Sequence, residues 1–108
     1  MAYRIVVELR ARRDAESTYD HIAKDSPSAA ADWYEGLLGC LESLGDMPER
    51  CPIVPEDDIV RMGLRHFVYG NYRILFTIAK QTQTVHVVHV RHAAQRSIDP
   101  ERGASEPS

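Results

Sequence analysis

Guanidinium and imidazole side chains gather in one stretch of this chain. Residues 59–98 hold Arg61, Arg65, Arg73, Lys80, Arg91 and Arg96 without a single acidic residue. They also hold four of the five histidines, His66, His86, His89 and His92. Arginine stays charged and can grip a phosphate with two parallel hydrogen bonds. Histidine, with an unperturbed pKa near ~6.5, can take up or release a proton at neutral pH. Such a set suits a phosphodiester. One base would remove the 2′-hydroxyl proton of RNA, arginines would stabilise charge on the phosphorane, and an acid would protonate the leaving oxygen. The alternative is a row of solvated side chains on a half-exposed sheet.

The whole-chain charge hides this segment. Residues 1–58 carry a net −7, residues 59–98 a net +6 and the tail from Asp99 a net −2, giving −3 overall. A local excess of that kind points the C-terminal half toward an anionic partner. His86-x-x-His89-x-x-His92 has the look of a zinc site, but strand period two sends His89 to the side opposite His86 and His92. No metal and no cofactor is therefore expected. Cys40 and Cys51 fall in no ligand or redox motif and are expected as reduced thiols, with a disulfide as the alternative. There is no phosphate-binding glycine loop and no recognisable nucleophile motif.

The elements that must position these groups follow from periodicity. Residues 3–10 alternate, with Tyr3, Ile5, Val7 and Leu9 on one side, and predict a strand. From Asp14 to Asp25 the apolar residues recur at three- and four-residue steps, predicting an amphipathic helix with Asp14 as its cap. Ser26-Pro27 ends that helix and opens a second, which runs to about Leu44 and stops at Gly45 and Pro48. Gly36 and Gly39 inside it suggest a close helix contact. The two helices form an antiparallel hairpin. Residues 46–58, with three prolines and an acidic cluster, predict a loop. Segments 59–69 and 72–79 flank Gly70-Asn71, a two-residue hairpin signal, and 84–92 is a third strand of the meander. Strand, helix, helix, then three strands make an α+β fold: an antiparallel sheet with the helical hairpin on one face.

The hairpin turn fixes a register. Tyr69 pairs with Tyr72, Val68 with Arg73, Phe67 with Ile74, His66 with Leu75 and Arg65 with Phe76, and paired residues share a side. Tyr72, Ile74, Phe76 and Ile78 should face the helices together with Phe67 and Tyr69. In the last strand Val88 and Val90 look like core, which sends Val87, His89 and Arg91 to the open side. His66, Arg73, His89 and Arg91 then converge on an uncovered sheet face, unless a one-residue slip inverts the assignment.

With 108 residues the chain suits one domain, and 44% hydrophobic with 27% charged residues marks it as globular rather than disordered. The domain is expected over residues 1–98, with 99–108 a disordered tail. No apolar stretch is long enough to span a bilayer, and the N-terminus lacks the pattern of a secretory signal. A cytoplasmic location without membrane contact is the expectation.

Several strings resemble the RelE/ParE toxins of type II toxin–antitoxin systems. They are Asp25-Ser-Pro-Ser-Ala-Ala-Ala-Asp-Trp33 with Leu41-Glu-Ser-Leu-Gly-Asp-Met-Pro-Glu-Arg-Cys-Pro52, then Gly63-Leu-Arg-His-Phe-Val-Tyr-Gly-Asn-Tyr-Arg-Ile-Leu-Phe76, and Val85-His-Val-Val-His-Val-Arg-His-Ala-Ala-Gln-Arg96. The resemblance covers roughly residues 3–96. It implies a β-α-α-β-β-β toxin neutralised by a cognate antitoxin, which lays helical or extended segments across apolar surface and alone contacts DNA. Two activities are implied by such families. RelE-like members are metal-independent endoribonucleases that cut mRNA on the ribosome, and that is the activity expected here; ParE-like members, which poison DNA gyrase without nuclease residues, are the alternative, and an inactive relative that only binds antitoxin is a third case. Arg73 and Arg91 match arginines of the nucleases. His66 occupies one of two positions where they carry lysine, and Ser97 stands near an expected tyrosine. Related nucleases use histidine in place of that tyrosine, so the resemblance implies His89 or His92 as its substitute. The resemblance thus implies Arg73, Arg91, His66 and His89 as catalytic, with Arg65, Arg96 and His92 binding substrate.

Overall fold

The computed structural model describes residues 3–54 and 63–93. Residues 59–62 of the strand expected over 59–69, Arg96 and the tail 99–108 lie outside those residues, and residues 63 and 64 precede the strand, which starts at Arg65. Strand β1 (Arg4–Val7) leads into helices α1 (Leu9–Asp25) and α2 (Pro27–Ser43), followed by strands β2 (Arg65–Tyr69), β3 (Tyr72–Ala79) and β4 (Thr84–His92). They form one sheet in the order β1-β4-β3-β2. The sheet is antiparallel through β2, β3 and β4, as expected, and becomes mixed at β1, which joins β4 in parallel. The helical hairpin between β1 and the later strands makes the crossover that a parallel pair needs.

The first strand is shorter than its alternation suggested. Apolar spacing at Ala11 and Ala15, both buried, carries the helical period back to Leu9, which is itself 59% exposed. Asp14 therefore sits inside α1 rather than at its cap. At the second helix the expectation is met: the Ser26 hydroxyl accepts the Ala29 amide at 3.1 Å, and Pro27 takes the first helical position, where no amide is missed.

Gly70-Asn71 closes the β2–β3 hairpin with every expected pair in register. Gly70 takes φ +57°, a conformation glycine adopts without a Cβ clash. Ile74, Phe76, Val85, Val87 and Val90 meet Leu37, Leu41, Leu44 and the α1 alanines in the main core. Gly36 of α2 faces the sheet rather than another helix. A Cβ there would clash with the Tyr69 hydroxyl oxygen, which donates to the Trp33 carbonyl at 2.8 Å.

One irregularity reorders β4. Its register against β3 shifts between Leu75 and Phe76: Leu75 pairs with His89 but Phe76 with Val87. Val88 is the extra residue of a β-bulge. The expected inward pair Val88 and Val90 is corrected accordingly. Val87 and Val90 face the helices, and Val88 turns to the far face.

Candidate functional site

The far face of the sheet is where the sequence placed its chemistry. Arg73 and Arg91 are register partners on neighbouring strands, so their side chains leave the sheet on the same side, together with Val68. The Arg73 Nε–H donates to His66 Nδ1 at 3.1 Å. That bond makes Nδ1 an acceptor and puts the His66 proton on Nε2. The Arg91 Nε is buried and has no hydrogen-bond partner among the described residues. This corner of the face holds two guanidiniums, one of them oriented by an imidazole.

The next row is different. His66, Leu75 and His89 are aligned across three strands. Leu75 is fully buried, packed with Val54, Leu64 and half-buried Val88 in a small second core. The face expected to be uncovered is thus plugged at its centre by Val54 and Leu64. A buried leucine cannot be approached by solvent or substrate.

His89 is drawn sideways. Beyond Val87, β1 no longer pairs with β4, and Asp14 of α1 fills that edge. Its Oδ2 accepts the Val90 amide at 3.0 Å and lies 3.1 Å from His89 Nδ1. Only 15% of the His89 side chain is exposed. The bulge also overturns the strand-period argument about the histidine triplet. His86 pairs with Thr77 and His89 with Leu75, so these two share a side while His92 pairs with Tyr72 on the other. Glu8 holds His86 Nδ1 at 2.8 Å and Asp14 holds His89, so each ring has its own carboxylate. Among the described residues no three side chains of metal-ligand type converge.

The remaining sequence candidates are not brought to the arginine corner. Arg65 pairs with Phe76, on the helix side of the sheet, and its guanidinium donates to the Glu49 and Cys51 carbonyls. His92 stands edge-on to Tyr72 with ring centroids 5.1 Å apart. Cys40 and Cys51 are free thiols that burial pushes up in pKa, which keeps them protonated and poorly nucleophilic. Sequence reasoning missed Asp14, Glu8, Val54 and Leu64. The first two fall in a segment read for its helix and strand periods. The last two carried no pattern beyond being apolar beside a proline-rich loop.

An open groove lies on the opposite side, between the helical hairpin and the β1 edge. Ile5, Val7, Leu37, Leu38 and Leu41 line a space of about 420 Å³. Leu38 is 47% exposed there. Apolar surface of this kind on a small domain marks a protein contact.

The chain is thus a two-layer α+β domain with an arginine pair on one face and an apolar groove on the other. The family described as ParE toxin of type II toxin–antitoxin system, parDE, matches residues 5–97, and the chain belongs to that family. A chain of the toxin–antitoxin complex RelBE2 from Mycobacterium tuberculosis is similar over 85% of this chain and 99% of its own, at 26% identity and TM-score 0.56. A chain of the chromosomal ParDE toxin–antitoxin system of P. aeruginosa shares the fold, with TM-score 0.66 at 12% identity, over 84% of this chain and 96% of its own. No curated protein sequence matches. The chain is a type II toxin with an antitoxin partner.

Proposed function

We propose that this toxin arrests growth by binding its target rather than by cutting RNA, with DNA gyrase, the target of ParE-like toxins, as the macromolecule bound in the cytoplasm. The observation that carries this reading is the buried Leu75 between His66 and His89. RNA cleavage by the 2′-hydroxyl needs a base and an acid on opposite sides of one phosphate. Here the two imidazoles stand two strand spacings apart, roughly 9–10 Å, with a sealed leucine between them. Each Nδ1 is already engaged, by Arg73 and by Asp14. The adjacent Arg73 and Arg91 remain suited to an anionic group of the target, which they can hold but not deprotonate.

A ribosome-dependent mRNA endonuclease is the second reading, favoured by one observation: the His66–Arg73 bond beside Arg91 gathers an imidazole and two guanidiniums at one corner. Induced expression separates the two. Trapped gyrase–DNA complexes without codon-linked RNA ends are expected, and discrete codon-linked cuts with normal supercoiling would overturn the proposal. The variant series sharpens it. Arg73→Ala and Arg91→Ala should relieve arrest, whereas His66→Ala should leave toxicity within about twofold, because a lost general acid or base costs ~10²–10⁴ in rate. No arrest from the chain expressed alone would instead mark an inactive relative that retains only antitoxin binding.

A further inference from the structure

The apolar groove does not end in open surface. At its outer rim it runs into a second recess lined by Glu16, Tyr19, Asp20 and Tyr34, with Glu16 and Tyr34 common to both. Tyr19 of α1 and Tyr34 of α2 meet edge to face, centroids 6.1 Å apart at 85°. The pair lies beside two carboxylates one helical turn apart. Tyr34 is 41% exposed. Among the described residues neither Glu16 nor Asp20 has an ion-pair or hydrogen-bond partner. Glu16 and Asp20 are like charges at i and i+4 on α1, with Arg12 and Lys24 one turn to either side of them. Arg12, the cation among the groove-lining residues, is absent from the second recess.

We infer that this recess is a socket for one lysine or arginine side chain of the antitoxin, whose neighbouring apolar residues fill the groove. The inference rests on the reading of the partner as an antitoxin and specifies how that partner is read. A cation over a tyrosine face is attracted by the ring quadrupole, and two unpartnered carboxylates add a directed field. The apolar floor supplies affinity for almost any amphipathic segment. The socket supplies register, because a segment shifted by one helical turn would leave its cation on Leu38 and the carboxylates unpaired.

The test uses the full toxin and the antitoxin encoded beside it, purified as a complex, separated and rebound at two salt concentrations. Glu16→Gln/Asp20→Asn changes only exposed groups and should preserve the fold, checked by its thermal melt. It is expected to weaken binding roughly tenfold at low salt and to flatten the salt dependence, since rim charges act mainly through screened attraction. Alanine substitution of each basic antitoxin residue in turn should find one whose effect disappears in the double variant. Unchanged affinity and salt slope in the double variant, with wild-type binding intact, would overturn the socket. Failure of the wild-type toxin to bind would overturn the antitoxin reading itself. Leu38→Glu, which blocks the groove and leaves the socket, should abolish binding in either salt.

Discussion

On the helix face of the sheet, Ile74, Phe76, Val85, Val87 and Val90 meet two helices in one continuous core. On the far face, Leu75 and Val88 meet Val54 and Leu64 in a cluster of four among the described residues. The first contact is made by regular elements whose residues recur with the helix and strand periods. The second is a small plug placed among charged side chains, and it decides which of them can act together. It leaves Arg73 and Arg91 as neighbours and keeps His66 and His89 apart. Stability is concentrated on one face, while on the other a few apolar residues stand between two histidines and leave two arginines side by side.

The sharpest way to break this comparison is to truncate the same strand on each side. Phe76→Ala should cost about 4 kcal/mol, within the range for a buried phenylalanine, and leave little folded protein. Leu75→Ala should cost about 2–3 kcal/mol, because its smaller cluster can relax or admit water. Urea midpoints measure both. Equal losses would mean that the far-face plug is as integral as the main core, and that the division of labour fails.

The contact between α2 and β2 sharpens the helix-face side. Gly36→Ala puts a methyl group against the Tyr69 hydroxyl and threatens its bond to the Trp33 carbonyl. Overpacking and the lost bond together should cost about 2 kcal/mol, offset in part by the better helix propensity of alanine. Tyr69→Phe in the same background should recover part of the loss, since it removes the nearest clashing atom. A neutral Gly36→Ala would show that the tyrosine can move aside freely.

At the edge joining the two faces, Asp14→Ala removes the acceptor of the Val90 amide and the partner of His89. A loss of about 1–2 kcal/mol is expected for the unsatisfied groups. Faster hydrogen exchange at Val90 should accompany it, with no change at Val85 in the part of β4 that β1 pairs. Uniformly unchanged exchange would mean that Asp14 does not hold this edge.

Much of the architecture was legible because local and global patterns agree. The Ser26-Pro27 break, the Gly70-Asn71 turn and the alternation of β3 each have one physical solution, and together they put Arg73 and Arg91 on one face. The parallel pairing of β1 was not legible, since alternation says which residues share a side and nothing about the partner strand. Nor was the bulge at Val88: in Val85-His-Val-Val-His-Val the two central valines are equivalent choices for the core until β3 is laid beside them. That single extra residue exchanged Val87 for Val88 and reunited His86 with His89 on one side. The plug escaped for a related reason. Val54 and Leu64 are ten residues apart in a segment without period, and only a tertiary contact with Leu75 gives them a role. Asp14 looked like a helix cap by type and proved to tie α1 to the edge of β4 by position.

The smallest effect expected is one of pH, at a contact away from both faces. The Tyr3 hydroxyl ahead of β1 donates to Glu49 in the short helical turn at Pro48–Arg50. That hydrogen bond first, then the residue's own backbone and the charges of Lys80 and Arg65, hold the Glu49 carboxyl below its ordinary range. A carboxylate with a depressed folded-state pKa stabilises the fold above its unfolded pKa and loses that contribution as pH falls through the folded one. Wild type and Tyr3→Phe should therefore differ in urea midpoint at neutral pH. The gap should close below the ordinary glutamate range near ~4.3, as protonation silences the wild-type interaction. Because both groups are exposed, the gap should be small and should shrink with added salt. Because Tyr3→Phe keeps the ring, a difference that persists unchanged into acid would mean that the hydroxyl holds the start of β1 without help from the Glu49 charge, through a hydrogen bond that a protonated carboxyl accepts equally well.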